Sequence, residues 1–205
     1  MRFSISKVLG LGVVSLILVG QVSADTFGDI KAKLRQSECV HFQFQSIVAS
    51  SIFESVDTAD GDATFERSGK YRINLRKDSY LFDGADLYSF SFDNQQVTVE
   101  KVDSGQQFGA EVSFVTRLDE IYKTRILRPD SLYRLVKIAR GYAGVPDSMI
   151  VTIDKQNRRI GKIEYLDIND EPTTIVFLGE QTSPRCDPTV FHPDFPDSVQ
   201  VVRLP

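Results

Sequence analysis

Four residues of this chain could carry nucleophilic or metal chemistry: His41, His192, Cys39 and Cys186. Nucleophilic catalysis needs a Ser or Cys held against a base, and the chain has no GxSxG elbow and no phosphate-binding loop. His41 falls on the polar face of a predicted strand, and His192 falls in the Pro-rich stretch DPTVFHPDFP. We therefore expect surface histidines, no catalytic residues and no enzymatic activity.

Metal and cofactor sites are equally unsupported by the sequence. The acidic stretches DTADGD (57–62) and DINDE (167–171) lack the ligand register and the closing Glu of a calcium loop. Neither cysteine has zinc-ligand spacing around it. The sequence predicts solvated turns, no metal and no cofactor.

The two cysteines allow two interpretations. In an oxidising compartment an even number of cysteines favours a disulfide, but spacing alone does not show that Cys39 and Cys186 meet. The alternative is a pair of small buried thiols.

One charged residue falls on an apolar face. If ATFERSGKYRINL (63–75) is a strand, its side chains alternate between two faces. A buried guanidinium is costly unless its hydrogen bonds are accepted, so Arg67 requires a partner. The residues that would share its face are Phe65, Tyr71, Ile73 and Leu75.

The elements around this stretch are mostly strands. DTFGDIKAKLRQSE (25–38) has helical spacing of Phe27, Ile30 and Leu34, and predicts an amphipathic helix packed on a sheet. From Val40 the period becomes two, and reversals such as SGK, DGAD and DNQQ separate the runs. We expect ten or more strands in an antiparallel barrel or sandwich.

An interruption at 112–122, VSFVTRLDEIY, predicts a helix within this run of strands. Its apolar residues recur at three- and four-residue intervals and give it a broad apolar face. The helix either plugs the end of a barrel or acts as a movable lid. Its apolar residues are Phe114, Val115, Leu118, Ile121 and Tyr122.

The ends and the composition restrict the cellular setting. Residues 1–24 have a short charged start, an apolar run from Val8 to Val19 and a small-residue site at VSA, which predicts a cleavable signal peptide and export. Residues 25–205 then form one domain. The formal net charge is −4 at pH 7 and no basic-aromatic run occurs, so nucleic acid is a poor partner.

Aromatic residues are abundant: fourteen Phe and seven Tyr, with no Trp. Many fall on one face of successive predicted strands, as in VHFQFQ (40–45) and LYSFSF (87–92). They form either a packed core or the walls of a cavity for an apolar ligand.

Several motifs in order resemble the outer-membrane lipoprotein carrier family, LolA. They are GDATFERSGKYRINL, LFDGADLYSFSFDNQQVTV and the terminal DPTVFHPDFPDSVQVV. The chain differs from the family pattern in having Ser68 and Gly69 after Arg67 and no Trp, so a divergent paralogue is an open alternative. The resemblance implies an incomplete antiparallel β-barrel covered by the N-terminal helix and the inserted lid helix.

The resemblance also implies a function, that of a periplasmic monomer that shelters lipoprotein acyl chains between the inner and outer membranes. Its implied partners are acylated lipoproteins, an inner-membrane lipoprotein-release transporter and an outer-membrane acceptor lipoprotein. Arg67 would bond to lid groups such as backbone carbonyls and hold the empty cavity closed. The alternative is a periplasmic lipid sensor or envelope-assembly factor using the same cavity. The expected ligand-binding residues are Phe42, Phe44, Phe65, Arg67, Tyr71, Ile73, Leu75, Tyr88, Phe90, Phe92, Phe114 and Leu118.

Overall fold

The computed structural model describes residues 25–50, 54–102, 115–138, 145–196 and 198–204. The predicted signal peptide, Phe114 and residues 112 and 113 of the predicted inserted helix lie outside these ranges. Among the described residues, no helix is both long and apolar enough to cross a membrane.

The N-terminal helix, α1 (Thr26–Gln36), forms where the sequence predicts it. Asp25 caps it by accepting a hydrogen bond from the Gly28 N–H at 3.0 Å. The helix buries Phe27, Ile30 and Leu34, and the Phe27 ring lies 4.7 Å from that of Tyr133. The helical spacing therefore identified both the element and its buried face.

Twelve strands form one sheet in the order β12-β6-β5-β4-β3-β2-β1-β11-β10-β9-β8-β7. All neighbours are antiparallel except β12 and β6, which are parallel. The predicted mainly-β fold with two covering helical segments is confirmed, in the form of an open sheet whose end strands do not close into a barrel. The strands are β1 (Cys39–Ser50), β2 (Ser55–Glu66), β3 (Tyr71–Leu75), β4 (Asp78–Phe82), β5 (Asp86–Ser91), β6 (Gln96–Lys101), β7 (Tyr122–Arg128), β8 (Leu132–Lys137), β9 (Ser148–Asp154), β10 (Arg159–Leu166), β11 (Pro172–Ser183) and β12 (Gln200–Arg203).

One face of the sheet packs on α1 and forms the main core. Most apolar residues that alternate along β1, β3 and β9 to β11 are at most 5% exposed, and the Phe42 and Phe177 rings meet edge to face at 5.2 Å. Because alternate side chains point to opposite faces, the same strands present polar residues to the other side. The side chains on the α1 face therefore form one continuous buried core.

The inserted segment is shorter than the predicted 112–122 within the described range. It comprises a 3-10 turn (Val115–Arg117) followed by α2 (Leu118–Ile121). Val115, Leu118 and Ile121 are at most 3% exposed and belong to the main core. Their burial favours the plug over the movable lid.

A disulfide joins Cys39 at the start of β1 to Cys186 in the C-terminal segment, with Cα atoms 5.0 Å apart. It decides between the two interpretations of the cysteines. Beyond it, Asp187 caps a 3-10 turn (Pro188–Phe191), and the hydrogen bonds donated by Thr189 lower the pKa of the Asp187 carboxyl. The C-terminal segment is thus held at both the disulfide and β12.

Candidate functional site

A cavity of about 410 Å³ lies between the C-terminal half of α1, the turn joining β2 to β3, and the 3-10 turn that precedes α2. We call it the α1 cavity. Its volume falls within the range of about 300–1,000 Å³ that is typical of small-molecule pockets.

The floor of the α1 cavity is apolar because four neighbouring strands place apolar residues side by side. Val40 lies opposite Phe65, Phe65 opposite Tyr71, and Tyr71 opposite Phe82. The Phe65 and Tyr71 ring centroids are 6.1 Å apart, and those of Tyr71 and Phe82 are 5.8 Å apart. Leu34 of α1 and Val102 complete the floor. This row of cross-strand pairs is the surface that an apolar ligand would contact.

Paired charges surround the opening of the cavity. Arg67 Nη1 lies 2.7 Å from Glu38 Oε1, and Arg117 Nη2 lies 2.6 Å from Glu120 Oε2. Both side chains of the Arg67–Glu38 pair are about half exposed, as is Glu120 in the other pair. Solvent-exposed ion pairs contribute about 0–1 kcal/mol, so an incoming charged group can replace either one at little cost.

A third rim arginine, Arg35, helps to connect the two helical segments. Asp119 of α2 accepts a hydrogen bond from Lys31 and forms an ion pair with Arg35 at 3.3 Å, and both cations lie on α1. Lys31 Nζ also lies 3.4 Å from Thr124 Oγ1. These contacts fix α2 against α1.

Solved structures share this fold, although no protein-family model and no curated protein matches the chain. An uncharacterized conserved protein from Thermus thermophilus superposes with a TM-score of 0.52 at 11% identity, covering 87% of this chain and 99% of that one. A LolA superfamily protein from Nitrosomonas europaea gives a TM-score of 0.45 at 11% identity, covering 83% and 97%. The Pseudomonas aeruginosa MucA/MucB complex gives 0.36 at 12% identity, covering 84% of this chain and 61% of that one.

The chain shares its overall fold with the Thermus thermophilus protein. At these identities the likeness concerns the fold alone and assigns no ligand or partner. The α1 cavity is therefore interpreted from its own residues.

Three of the predicted ligand-binding residues line the α1 cavity: Phe65, Arg67 and Tyr71. Five others belong to the main core or pack against it and do not line the α1 cavity. Of these five, Phe42, Phe44 and Ile73 are each 1% exposed, Leu118 is 3% exposed, and Leu75 is partly buried. Phe114 lies outside the described residues.

In the part of the chain that the structure describes, the side chain of Arg67 has Glu38 as its partner instead of the predicted lid carbonyls. Strand β2 ends at Glu66, so Arg67 belongs to a turn and not to the apolar face of a strand. Its backbone N–H donates to the Glu38 carbonyl at 2.9 Å, and its side chain, 56% exposed, pairs with the Glu38 carboxylate. Arg67 thus lies at the cavity rim and is held by the residue that precedes β1, not by lid carbonyls.

Tyr88, Phe90 and Phe92 do not line the α1 cavity, and Phe90 and Phe92 instead border a second cavity of about 390 Å³ beside Phe195 and Val199. On β5, Leu87 belongs to the main core, whereas Tyr88 and Phe90 belong to a second cluster with Val97 and Val99. Phe92 is 50% exposed. Alternation shows that the three share a face, but not which face it is.

The C-terminal segment packs on that second cluster. Phe195 stacks on Phe90 with ring centroids 5.5 Å apart and lies 5.9 Å from the Tyr88 ring. Burial, aided by Asp83, raises the pKa of Tyr88. Arg72 Nη1 donates to the Val190 carbonyl at 3.1 Å. The hairpin aromatics therefore pack against the C-terminal segment and hold it on the sheet.

Four apolar lining positions were missed because they belong to elements whose role in the cavity depends on tertiary packing: Leu34, Val40, Phe82 and Val102. Leu34 and Val40 already stood out as apolar positions in a helix and a strand. The helical period of α1 and the strand period of β1 do not show that Leu34 and Val40 border the same cavity.

The histidines and carboxylates form no catalytic or metal site among the residues described. His41 Nδ1 lies 3.0 Å from Thr64 Oγ1, its directly opposite neighbour on β2, and His192 is exposed beyond the C-terminal 3-10 turn. Within the described ranges, no group of three or more His, Cys, Asp or Glu could hold a metal ion.

Proposed function

We propose that this protein is a periplasmic carrier that shelters an acyl chain of a lipoprotein in the α1 cavity and delivers it from the inner to the outer membrane. The observation that carries the proposal is the combination of an apolar floor with a rim of exchangeable ion pairs. An acylated lipoprotein has the same two parts, an apolar chain beside a polar, charged peptide.

The binding energy comes from the floor. Each methylene removed from water contributes about 0.8 kcal/mol, so about eight buried methylenes give about 6 kcal/mol before the costs of association. The main core is already filled, which limits the protein to the part of a chain that fits about 410 Å³. Such partial shelter suits a carrier, because a ligand that is only partly enclosed can be released again.

The rim supports the polar end of the ligand. Arg67 and Arg117 are each paired with a carboxylate and are in contact with solvent. An anionic or carbonyl-rich group at the opening can take the place of Glu38 or Glu120 as acceptor. In this proposal Arg67 contributes to selection of the ligand at the opening.

Transfer would require that the affinity for the lipoprotein increase from the donor to this protein, and again from this protein to the acceptor. We propose an inner-membrane lipoprotein-release transporter as donor and an outer-membrane acceptor lipoprotein as recipient. No chemical bond changes in this scheme, so the direction of transfer depends on the relative affinities alone.

The test is mass spectrometry of organic extracts from the protein purified after co-expression with a triacylated lipoprotein. Val102→Trp places a large side chain on the cavity floor, and Val201→Trp is the matched control because Val201 is 53% exposed on β12 and does not line the cavity. We expect the wild type and Val201→Trp to retain the lipoprotein and Val102→Trp to lose it. Equal retention by both variants, or an empty wild type that also excludes a fluorescent fatty acid, would refute the carrier function.

A further inference from the structure

The β7–β8 hairpin forms one end of the sheet. β7 is hydrogen-bonded to β8 on one side and is the last strand in the sheet order among the described residues. At seven residues it is a longer edge than β12, the four-residue strand at the other end. Sheet edges present unpaired N–H and C=O groups, and native proteins often shorten or cover them.

The charge of this hairpin is opposite to that of the whole chain. Residues 122–138 hold five basic residues and one acidic residue, whereas the chain has a formal net charge of −4. Lys137 pairs with Asp147 at 2.6 Å, but the other four form no ion pair within the described part of the chain and are exposed. They are Lys123, Arg125, Arg128 and Arg134.

Two of these arginines lie directly opposite each other. Arg125 on β7 is the cross-strand partner of Arg134 on β8. Like charges at directly opposed positions destabilise a sheet. An acidic group beside them would be attracted to both arginines and would offset their mutual repulsion.

The same edge exposes apolar side chains. Ile126 is 60% exposed and Leu127 is 43% exposed, and the register shifts between Ile126 and Arg128. Charge on an edge strand can serve to prevent pairing with other chains, but that role does not call for large apolar residues on the same strand. The two features together fit an edge that receives a partner.

We propose that β7 is a docking strand for an extended segment of a partner protein in which acidic and apolar residues alternate. The segment adds to the sheet edge through backbone hydrogen bonds. Its acidic residues lie beside Lys123 and Arg125 on one face, and its apolar residues lie beside Thr124 and Ile126 on the other. A second copy of this chain is a poor occupant, because pairing β7 with itself brings its basic residues together.

This site is independent of the carrier function, since no residue of β7 or β8 lines the α1 cavity. The probe is a fluorescein-labelled octapeptide of alternating Glu and Val, measured by fluorescence anisotropy with the full chain. Two further peptides test the two parts of the interaction: alternating Lys and Val for charge, and the Glu/Val peptide with a central Pro for backbone pairing.

We expect the Glu/Val peptide to bind, and both the Lys/Val and the Pro peptides to bind at least about tenfold more weakly. The double variant Arg125→Glu/Arg134→Glu should reverse the preference and bind the Lys/Val peptide, a gain that unfolding does not produce. The matched control is Arg76→Glu, an exposed arginine outside the hairpin, which should leave binding unchanged.

Three results would overturn the proposal. Absence of Glu/Val binding at millimolar peptide would mean that the charges only protect the edge. Equal binding of the Pro peptide would exclude strand addition. Binding of the wild type to vesicles of anionic phospholipid, abolished by the double variant, without any preference among the peptides would assign the hairpin to a membrane surface.

Discussion

Loss of the Cys39–Cys186 disulfide should remove a large share of the stability of this protein. The bond joins residues separated by 147 positions, close to the two ends of the described domain. In the chain-entropy treatment, a loop of that length restricts the unfolded chain by about 5 kcal/mol, and loss of a native disulfide typically costs about 2–5 kcal/mol. Since a domain is stable by about 5–15 kcal/mol in total, an expected loss of about 3–5 kcal/mol is roughly a fifth of it or more.

The assay is urea unfolding followed by far-UV circular dichroism, because the chain has no Trp to serve as a fluorescence probe. We expect Cys39→Ser/Cys186→Ser to lower the free energy of unfolding by about 3–5 kcal/mol. The single variants Cys39→Ser and Cys186→Ser should each lose about as much as the double variant, since either one breaks the same bond. Wild type under reducing conditions should match them.

Two outcomes would refute this reasoning. A loss below about 1 kcal/mol in all variants would mean that the unfolded chain is already restricted without the bond. A large loss in one single variant and little in the other would show that packing of that sulfur, not the cross-link, provides the stability.

Three further substitutions test the core and its buried polar groups. Burial, with Asp147 nearby, raises the pKa of Tyr122, so its contribution to the free energy of unfolding should be constant below pH about 10, the unfolded value, and decrease above it. Tyr122→Phe should therefore reduce the alkaline fall in a pH series of urea titrations. Lys33→Met should cost about 1–3 kcal/mol, because the Glu180 side chain is 3% exposed and loses its partner at 2.7 Å, and adding Glu180→Gln should recover part of the loss. Gly61→Ala should cost about 1–3 kcal/mol, since its Cβ would lie 2.7 Å from Phe44 Cζ.

Each of these three has an opposing result. An unchanged pH profile in Tyr122→Phe would place the alkaline loss on other groups. No recovery on adding Glu180→Gln would show that Lys33 acts through packing of its methylenes. A Gly61→Ala variant as stable as wild type would mean that Phe44 shifts without cost.

Local patterns predicted the elements of this fold well, and for a physical reason. The spacing of Phe27, Ile30 and Leu34 identified α1, and YRINL corresponds to β3, because helical and strand periods are properties of neighbouring residues. Sheet order is different. The adjacency of β1 to β11 joins segments far apart in the chain, and no local period contains it.

The site was predicted less well than the fold, because whether an apolar side chain lines a cavity or fills a core depends on what packs against it. Phe42 and Phe65 belong to adjacent strands and the same face, yet Phe42 is enclosed by the core and Phe65 borders the α1 cavity. Phe42 and Phe65 both lie in stretches where apolar and polar residues alternate. The difference arises from where α1 ends above the sheet.

Arg67 lies at the cavity, but for a structural reason other than strand alternation. The alternation argument assumed an unbroken strand from Ala63 to Leu75, but β2 ends at Glu66, and Gly69 takes a φ of +103° in the turn. In the turn, the Arg67 N–H donates to the Glu38 carbonyl. The guanidinium lies at the cavity rim, and the side chain is 56% exposed. There its desolvation cost is small and its ion pair contributes about 0–1 kcal/mol. An arginine in this position can exchange Glu38 for a ligand's acceptor, which one buried within the apolar face could do only at the cost of an uncompensated charge.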